Sequence, residues 1–304
     1  MLSMLLTAAL ATVDLAPPGY ALAWADEFEA DGLPDASKWT YDTHANRTGW
    51  YNEEAQYYAA ARPENARIED GVLIIEARRE KMDPAPADWG GQAYTSARMV
   101  STAAWDEGFI EARAKLPCGR GTWPAIWMLP RDASDWPAGG EIDIMENVND
   151  QFPANLAALH VQDDCSINGD TQTGTTVFTN CNADANNNSG CRIEMNNTDT
   201  ATWGSKVNNN GGAVVAMQRD FSSDGKGIRM WFWDKSDNMP SDISKPGNSV
   251  NPDNWGTPAA NFGKLSCSNN ADGSSQFDAH KIVFDITLCG DWAGNAYDQV
   301  SQCP

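Results

Sequence analysis

Residues 140–147, GEIDIMEN, set three acids inside one short apolar run. Closely spaced carboxylates can divide the work of cleaving an acetal, one protonating the leaving oxygen while the other attacks carbon or directs water. The spacing resists this at first sight. Glu141 and Asp143 are two apart, so a strand turns both to one face, whereas Glu146 follows Asp143 by three and falls on the other side. A β-bulge at Ile144-Met145 sets two residues opposite one and returns Glu146 to the face of the other acids, leaving Ile142 and Ile144 to the core. Glu141 and Glu146 are then about four strand positions apart, or roughly 13 Å along the backbone. Leaning toward each other over a concave sheet, their carboxyls reach the roughly 5–5.5 Å of a retaining pair rather than the roughly 6.5–9.5 Å of an inverting one. Acids this close cannot all ionise freely, so one pKa rises, as a general acid requires. The same spacing also suits the solvated face of an edge strand or a calcium site, and the neighbouring residues decide between these readings.

Those neighbours are aromatic. In residues 119–130, GRGTWPAIWMLP, Trp123 and Trp127 share parity on a predicted strand, and Trp136 stands just before the acids. Each indole alone is a core candidate. Clustered here, they suit a groove that stacks rings on the apolar faces of a sugar chain.

The elements that must hold these residues are strands. ARIEDGVLIIEAR, YTSARMVS, GFIEARAKL, TWPAIWMLP, EIDIMENV, GIRMWFWD and HKIVFDITL are short runs of β-branched and aromatic residues between turn residues, with little helical periodicity. They predict an all-β sandwich or barrel. Residues 163–212 carry Asn, Thr, Gly and cysteines with little alternation, and read as one long loop excursion. No linker-like segment or internal repeat divides the chain.

The 304 residues, 41% hydrophobic with 13 tryptophans, can bury a large core. With 42 acidic against 21 basic residues the net charge is -21, which repels phosphate backbones and anionic lipid, so neither nucleic acid nor membrane is an expected partner. A neutral glycan is compatible with that field. Residues 1–20 contain an apolar run ending in Ala-Leu-Ala and read as a signal peptide or an apolar N-terminal extension. Six of the seven cysteines lie from Cys165 to Cys303, as expected of disulfides stapling long loops in a secreted protein. The odd count leaves a thiol, with Cys118 the candidate. No C-x-x-C pair occurs and the histidines number three, so no metal site is expected. Sequons stand at Asn46, Asn187 and Asn196.

These residues together resemble glycoside hydrolase family 16, and within it the laminarinase-like endo-β-1,3-glucanases. The likeness rests on WADEF, NEEAQYY, YTSARMVS, GFIEARAKLP, GTWPAIWMLP, GGEIDIMENVN, the Leu159-His160 pair, WGTP and HKIVFDITLCGDWAG, in order along the chain. The first half is similar to bacterial laminarinases and the cysteine-rich second half to fungal ones. The resemblance implies a concanavalin A-like jelly roll, two curved antiparallel sheets with a cleft on the concave face, formed by residues 21–304 as a single catalytic domain. It implies retaining endo-hydrolysis of β-1,3-glucan of the laminarin type, extended to mixed-linkage β-1,3/1,4-glucan. Transglycosylation of the same glucans and non-catalytic glucan binding are the alternatives. Glu141 matches the nucleophile, Glu146 the acid/base and Asp143 the middle acid. His160 matches a histidine beside the acids; Trp127 and Trp136, with Trp123 and Trp292, match sugar platforms; Asn52 and Arg98 match polar cleft positions. No cofactor is implied, and the structural calcium of some members has no counterpart signal here. A secreted monomer acting on neutral β-glucan is the expected whole.

Overall fold

The computed structural model describes residues 22–117, 119–149, 154–196, 202–235, 239–244, 251–268 and 271–297. The expectations for residues 1–20 and for Cys118 lie outside them. Two compact units separate among the described residues. In the smaller, 22–25, 239–244 and 251–256, the Asp242 carboxylate accepts from the Asn251 backbone N–H and from Trp255 Nε1, both at 2.9 Å.

The larger unit holds every described strand. Eight form one antiparallel sheet in the order Trp39–Tyr41, Arg98–Ser101, His280–Leu288, Thr122–Pro130, Glu141–Glu146, Leu156–His160, Cys191–Glu194, Thr175–Phe178. Four more form a second sheet, Ala260–Gly263, Gly227–Asp234, Ala213–Asp220, Gly108–Ala114. The acid-bearing strand is interior to the first sheet and packs across the core on Ala213–Asp220. Ile142, Ile144 and Met145 are 0%, 1% and 2% exposed, and each such burial contributes about 1.5–3 kcal/mol. That packing is what fixes the opposite face, with its acids, toward the cleft.

Residues 163–212 differ from the expected loop. Thr175–Phe178 and Cys191–Glu194 extend the first sheet, and Ser205–Asn209 is a short helix. Cys191 and Ile193 are buried while Arg192 and Glu194 are half-buried on the other face, a period of two too short to stand out among asparagines. Disulfides Cys165–Cys267 and Cys181–Cys191 staple this region, and Cys289 is the free thiol among the described residues. The Asn46 sequon is no glycan acceptor. Its side chain is buried, donating to the Tyr58 carbonyl at 2.9 Å and accepting from the Tyr58 N–H at 2.8 Å.

Candidate active site

The acid-bearing strand begins at two glycines that no other residue could replace cheaply. Gly140 has φ of 76°, and a Cβ there would lie 2.5 Å from the Phe277 ring and 2.7 Å from the Gln276 carbonyl. Its own carbonyl lies 3.0 Å from Nε2 of the fully buried His280, whose Nδ1 is 3.0 Å from Arg219 Nη1. Burial and the Arg219 charge hold His280 down at about 4, so it is neutral.

Beyond the glycines the register slips once. Asp143 pairs with Trp127 and Met145 with Ile126 on one side, while Asp143 pairs with Ala158 and Glu146 with Leu156 on the other. Ile144 has no partner in either register. This is the expected bulge, and it brings Glu146 into the electrostatic company of Glu141, Asp143 and His160. After it, Asn149 turns the chain at φ of 56°, its side chain accepting from the Gly121 N–H at 2.6 Å and donating to the Ala293 carbonyl at 3.1 Å.

Each outer acid has its own tryptophan. Trp136 Nε1 donates to Glu141 Oε2 at 2.9 Å, and Trp123 Nε1 donates to Glu146 Oε1 at 2.7 Å. His160 sits opposite Glu141 in the register, with Nε2 3.4 Å from Asp143 Oδ2 and 3.8 Å from Glu141 Oε1. Burial opposes its charge, yet Asp143, Glu141 and Glu146 together lift it to about 9. Glu141 is raised to about 7 by burial and then by the Asp143 charge, against the pull of His160 and the Trp136 N–H. Burial and Asp143 push Glu146 well above the carboxylate range. Near neutral pH the arrangement is therefore a carboxyl able to lose its proton, a carboxyl that retains one, and an imidazolium beside the middle acid. Glu141, Asp143 and His160 also bring one ligand-type atom each within 4.8 Å of the others, and the imidazolium supplies that cluster with positive charge of its own.

The cleft floor is built around Arg98. Its guanidinium lies 4.6 Å from the Trp50 ring and 4.5 Å from the Trp127 ring, while Asp42 at 3.4 Å and Asp285 at 3.7 Å balance its charge. At 9% exposed, Arg98 lies within a stack of aromatic rings. Asn52 is half-buried, its side chain donating to Glu54 Oε1 at 3.1 Å, and Glu54 also accepts from Gln56 at 2.6 Å. Burial raises both Glu54 and Asp285, the latter to about 7. Trp292 meets Trp123 edge to face at 5.4 Å. Of the residues singled out in the sequence, six meet at the acids directly: Glu141, Asp143, Glu146, His160, Trp123 and Trp136. Trp127 and Trp292 adjoin them, whereas Asn52 contacts Glu54 and Arg98 lies against Trp127. Trp50, Glu54, Gln56 and Asp285 went unpredicted. The alternation N-x-E-x-Q at residues 52–56 was a usable signal, but Asp285 inside an apolar strand gave none.

Facing antiparallel sheets with an acid-bearing interior strand walled by tryptophans define a jelly-roll with a carbohydrate-type cleft. Residues 39–304 match the family described as XgeA-like, catalytic GH16 domain, and the chain belongs to glycoside hydrolase family 16. A beta-glucanase of Rhodothermus marinus is 53% identical over 137 residues, 43% of this chain and 45% of that protein. The chain thus spans less than half the length of that curated relative. Laminarinase 16A from Phanerochaete chrysosporium, solved with β-glucans in donor and acceptor sites, superposes with a TM-score of 0.72 at 31% identity, covering 90% of this chain and 91% of that one. An elongating family 16 β-1,3-glucosyltransferase gives a TM-score of 0.69 at 29% identity, covering 90% and 88%.

Proposed function

We propose that the protein is a retaining endo-hydrolase of β-1,3-glucan of the laminarin type, accepting mixed-linkage β-1,3/1,4-glucan as well, and acting outside the cell as a monomer on neutral polysaccharide. The observation that carries this reading is the bulge at Ile144, which gathers Glu141, Asp143 and Glu146 on one face, with Glu141 raised to about 7 and Glu146 raised well above the carboxylate range. Glu146 gives its proton to the glycosidic oxygen as Glu141 attacks the anomeric carbon, and the C–O bond breaks to leave a glycosyl-enzyme. Water then attacks that carbon, Glu146 takes the water proton, Glu141 leaves, and the β configuration is kept. Asp143 and its His160 partner set the protonation of the pair. Trp136, Trp123, Trp127 and Trp292 offer ring faces to sugars, Asn52 a side-chain amide, and Arg98 stiffens the Trp127 platform from behind. These steps need no cofactor. The family match over residues 39–304 supports one catalytic domain over 21–304, and the disulfides support an oxidising compartment.

Reducing-end release from laminarin, compared between the parent protein and Glu141→Gln, tests the reading. Loss of about 10³-fold or more is expected, and undiminished hydrolysis by the variant sinks it. The likeness to a glucosyltransferase favours one second reading, transfer of the glycosyl group to a sugar hydroxyl. Products longer than the substrate at low glucan concentration would identify transfer as the main reaction.

A further inference from the structure

A bulged strand outgrows its neighbour by one residue, and the backbone groups at the extra position need a partner that the ladder does not supply. Here Glu141–Glu146 advances from Asp143 to Glu146 while Leu156–His160 moves from Ala158 only to Leu156. The residue just before the neighbouring strand, Asn155, fills the discrepancy with its side chain. Asn155 Nδ2 donates to the Ile144 carbonyl at 3.1 Å, and Asn155 Oδ1 accepts from the Glu146 N–H at 3.0 Å. A carboxamide carries one acceptor and one donor face side by side, as a peptide group does, so it can take a strand neighbour's part. Asn155 is itself fixed: it is 0% exposed, its N–H donates to Thr202 Oγ1 at 2.7 Å, and its carbonyl accepts from the Met195 N–H at 2.8 Å. The Thr202 hydroxyl in turn donates to the Met195 carbonyl at 2.9 Å.

We propose that Asn155 is a positioning residue for the acid/base carboxyl, its side-chain amide substituting for the missing strand partner at the bulge and so setting the direction in which Glu146 leaves the backbone. This rests on the acid/base assignment made above. Leucine and alanine at the position offer neither hydrogen bond, while aspartate keeps only the acceptor half, so aspartate frees the Glu146 backbone less than either.

Misaiming a general acid has a signature that general loosening lacks. Leaving groups that depart without protonation are spared, and a small anionic nucleophile that needs no base restores the second step. The experiment uses aryl β-laminaribiosides of graded leaving-group pKa, with and without azide, on the parent, Asn155→Ala, Asn155→Asp and Glu146→Gln. For Asn155→Ala, laminarin turnover is expected to fall about 10–100-fold, first-step rates on the dinitrophenyl glycoside less than about threefold, and azide is expected to restore steady-state turnover of that glycoside, with Asn155→Asp between it and the parent. Should Asn155→Ala fail to fold, Asn155→Asp carries the same leaving-group and azide comparison alone. Equal losses across all leaving groups without azide rescue, while Glu146→Gln shows both effects, would overturn the role of Asn155. If Glu146→Gln itself shows neither effect, the acid/base assignment fails instead, and this inference with it.

Discussion

On the proposed function, Trp136 carries two separable duties at the scale of one residue. Its ring, 39% exposed, is available to sugar, and its Nε1–H holds Glu141 at 2.9 Å. A donor on a carboxylate favours the ionised form, so this bond pulls the Glu141 pKa down against burial and the Asp143 charge. Trp136→Phe keeps an aromatic face and loses the donor. The Glu141 pKa should then climb above its value of about 7, and the acid limb of the kcat/KM profile should move to higher pH. A loss of about three- to tenfold at pH 6 that closes by pH 8, measured on laminarin, is the expected result. An equal loss at both pH values would assign Trp136 to sugar stacking alone.

At the scale of the element, the acid strand shows what a sequence can disclose. The break in alternation between Asp143 and Glu146 predicted a bulge because period two admits no other way to bring the acids together. Glu141–Glu146 has that bulge, and the apolar runs around it became strands where expected. Asn155 was invisible because its role lies in pairing with a backbone, which leaves no pattern of residue types. Asp285 was hidden for another reason: a charge inside an apolar strand seldom finds its balance there, and its pairing with Arg98, which only the resemblance had singled out, leaves no pattern. Thr175–Phe178 and Cys191–Glu194 were missed because four residues hold only two cycles of alternation. The bulge makes one more prediction. Deleting Ile144 leaves E-I-D-M-E, a regular strand in which all three acids still share a face. That variant should keep glucan hydrolysis within about tenfold of the parent and become indifferent to Asn155→Ala, since no unpaired carbonyl remains to be met. Activity assays of the single and double variants decide it. Persisting sensitivity to Asn155→Ala would mean that the amide serves something other than the bulge.

Across the whole molecule, one strand ties the active-site parts together. His280–Leu288 meets the Gly140 carbonyl through His280, balances Arg98 through Asp285 and reaches Tyr58 through Thr287, whose hydroxyl lies 2.6 Å from the Tyr58 hydroxyl. The price of this machinery is buried acid. Glu141, Glu146, Glu54 and Asp285 all bind protons more tightly in the folded chain than their ordinary values, so folding takes up protons and stability falls as pH rises from about 4.5 through 7. His160, raised to about 9 from 6.5, extends the decline through 9, and His280, lowered to about 4, opposes it only between 4 and 6.5. Melting temperatures measured from pH 5 to pH 9 should therefore decrease, and Glu141→Gln should flatten the decline by about 2–4 °C at pH 8. A parent curve that rises with pH would contradict the burial of these acids. On the proposed mechanism, in contrast, turnover waits for Glu141 to ionise. The conditions that preserve the protein and the conditions that put it to work consequently pull apart as Glu141 gives up its proton: it would keep longest in mildly acidic storage, and wear out soonest where it is most productive.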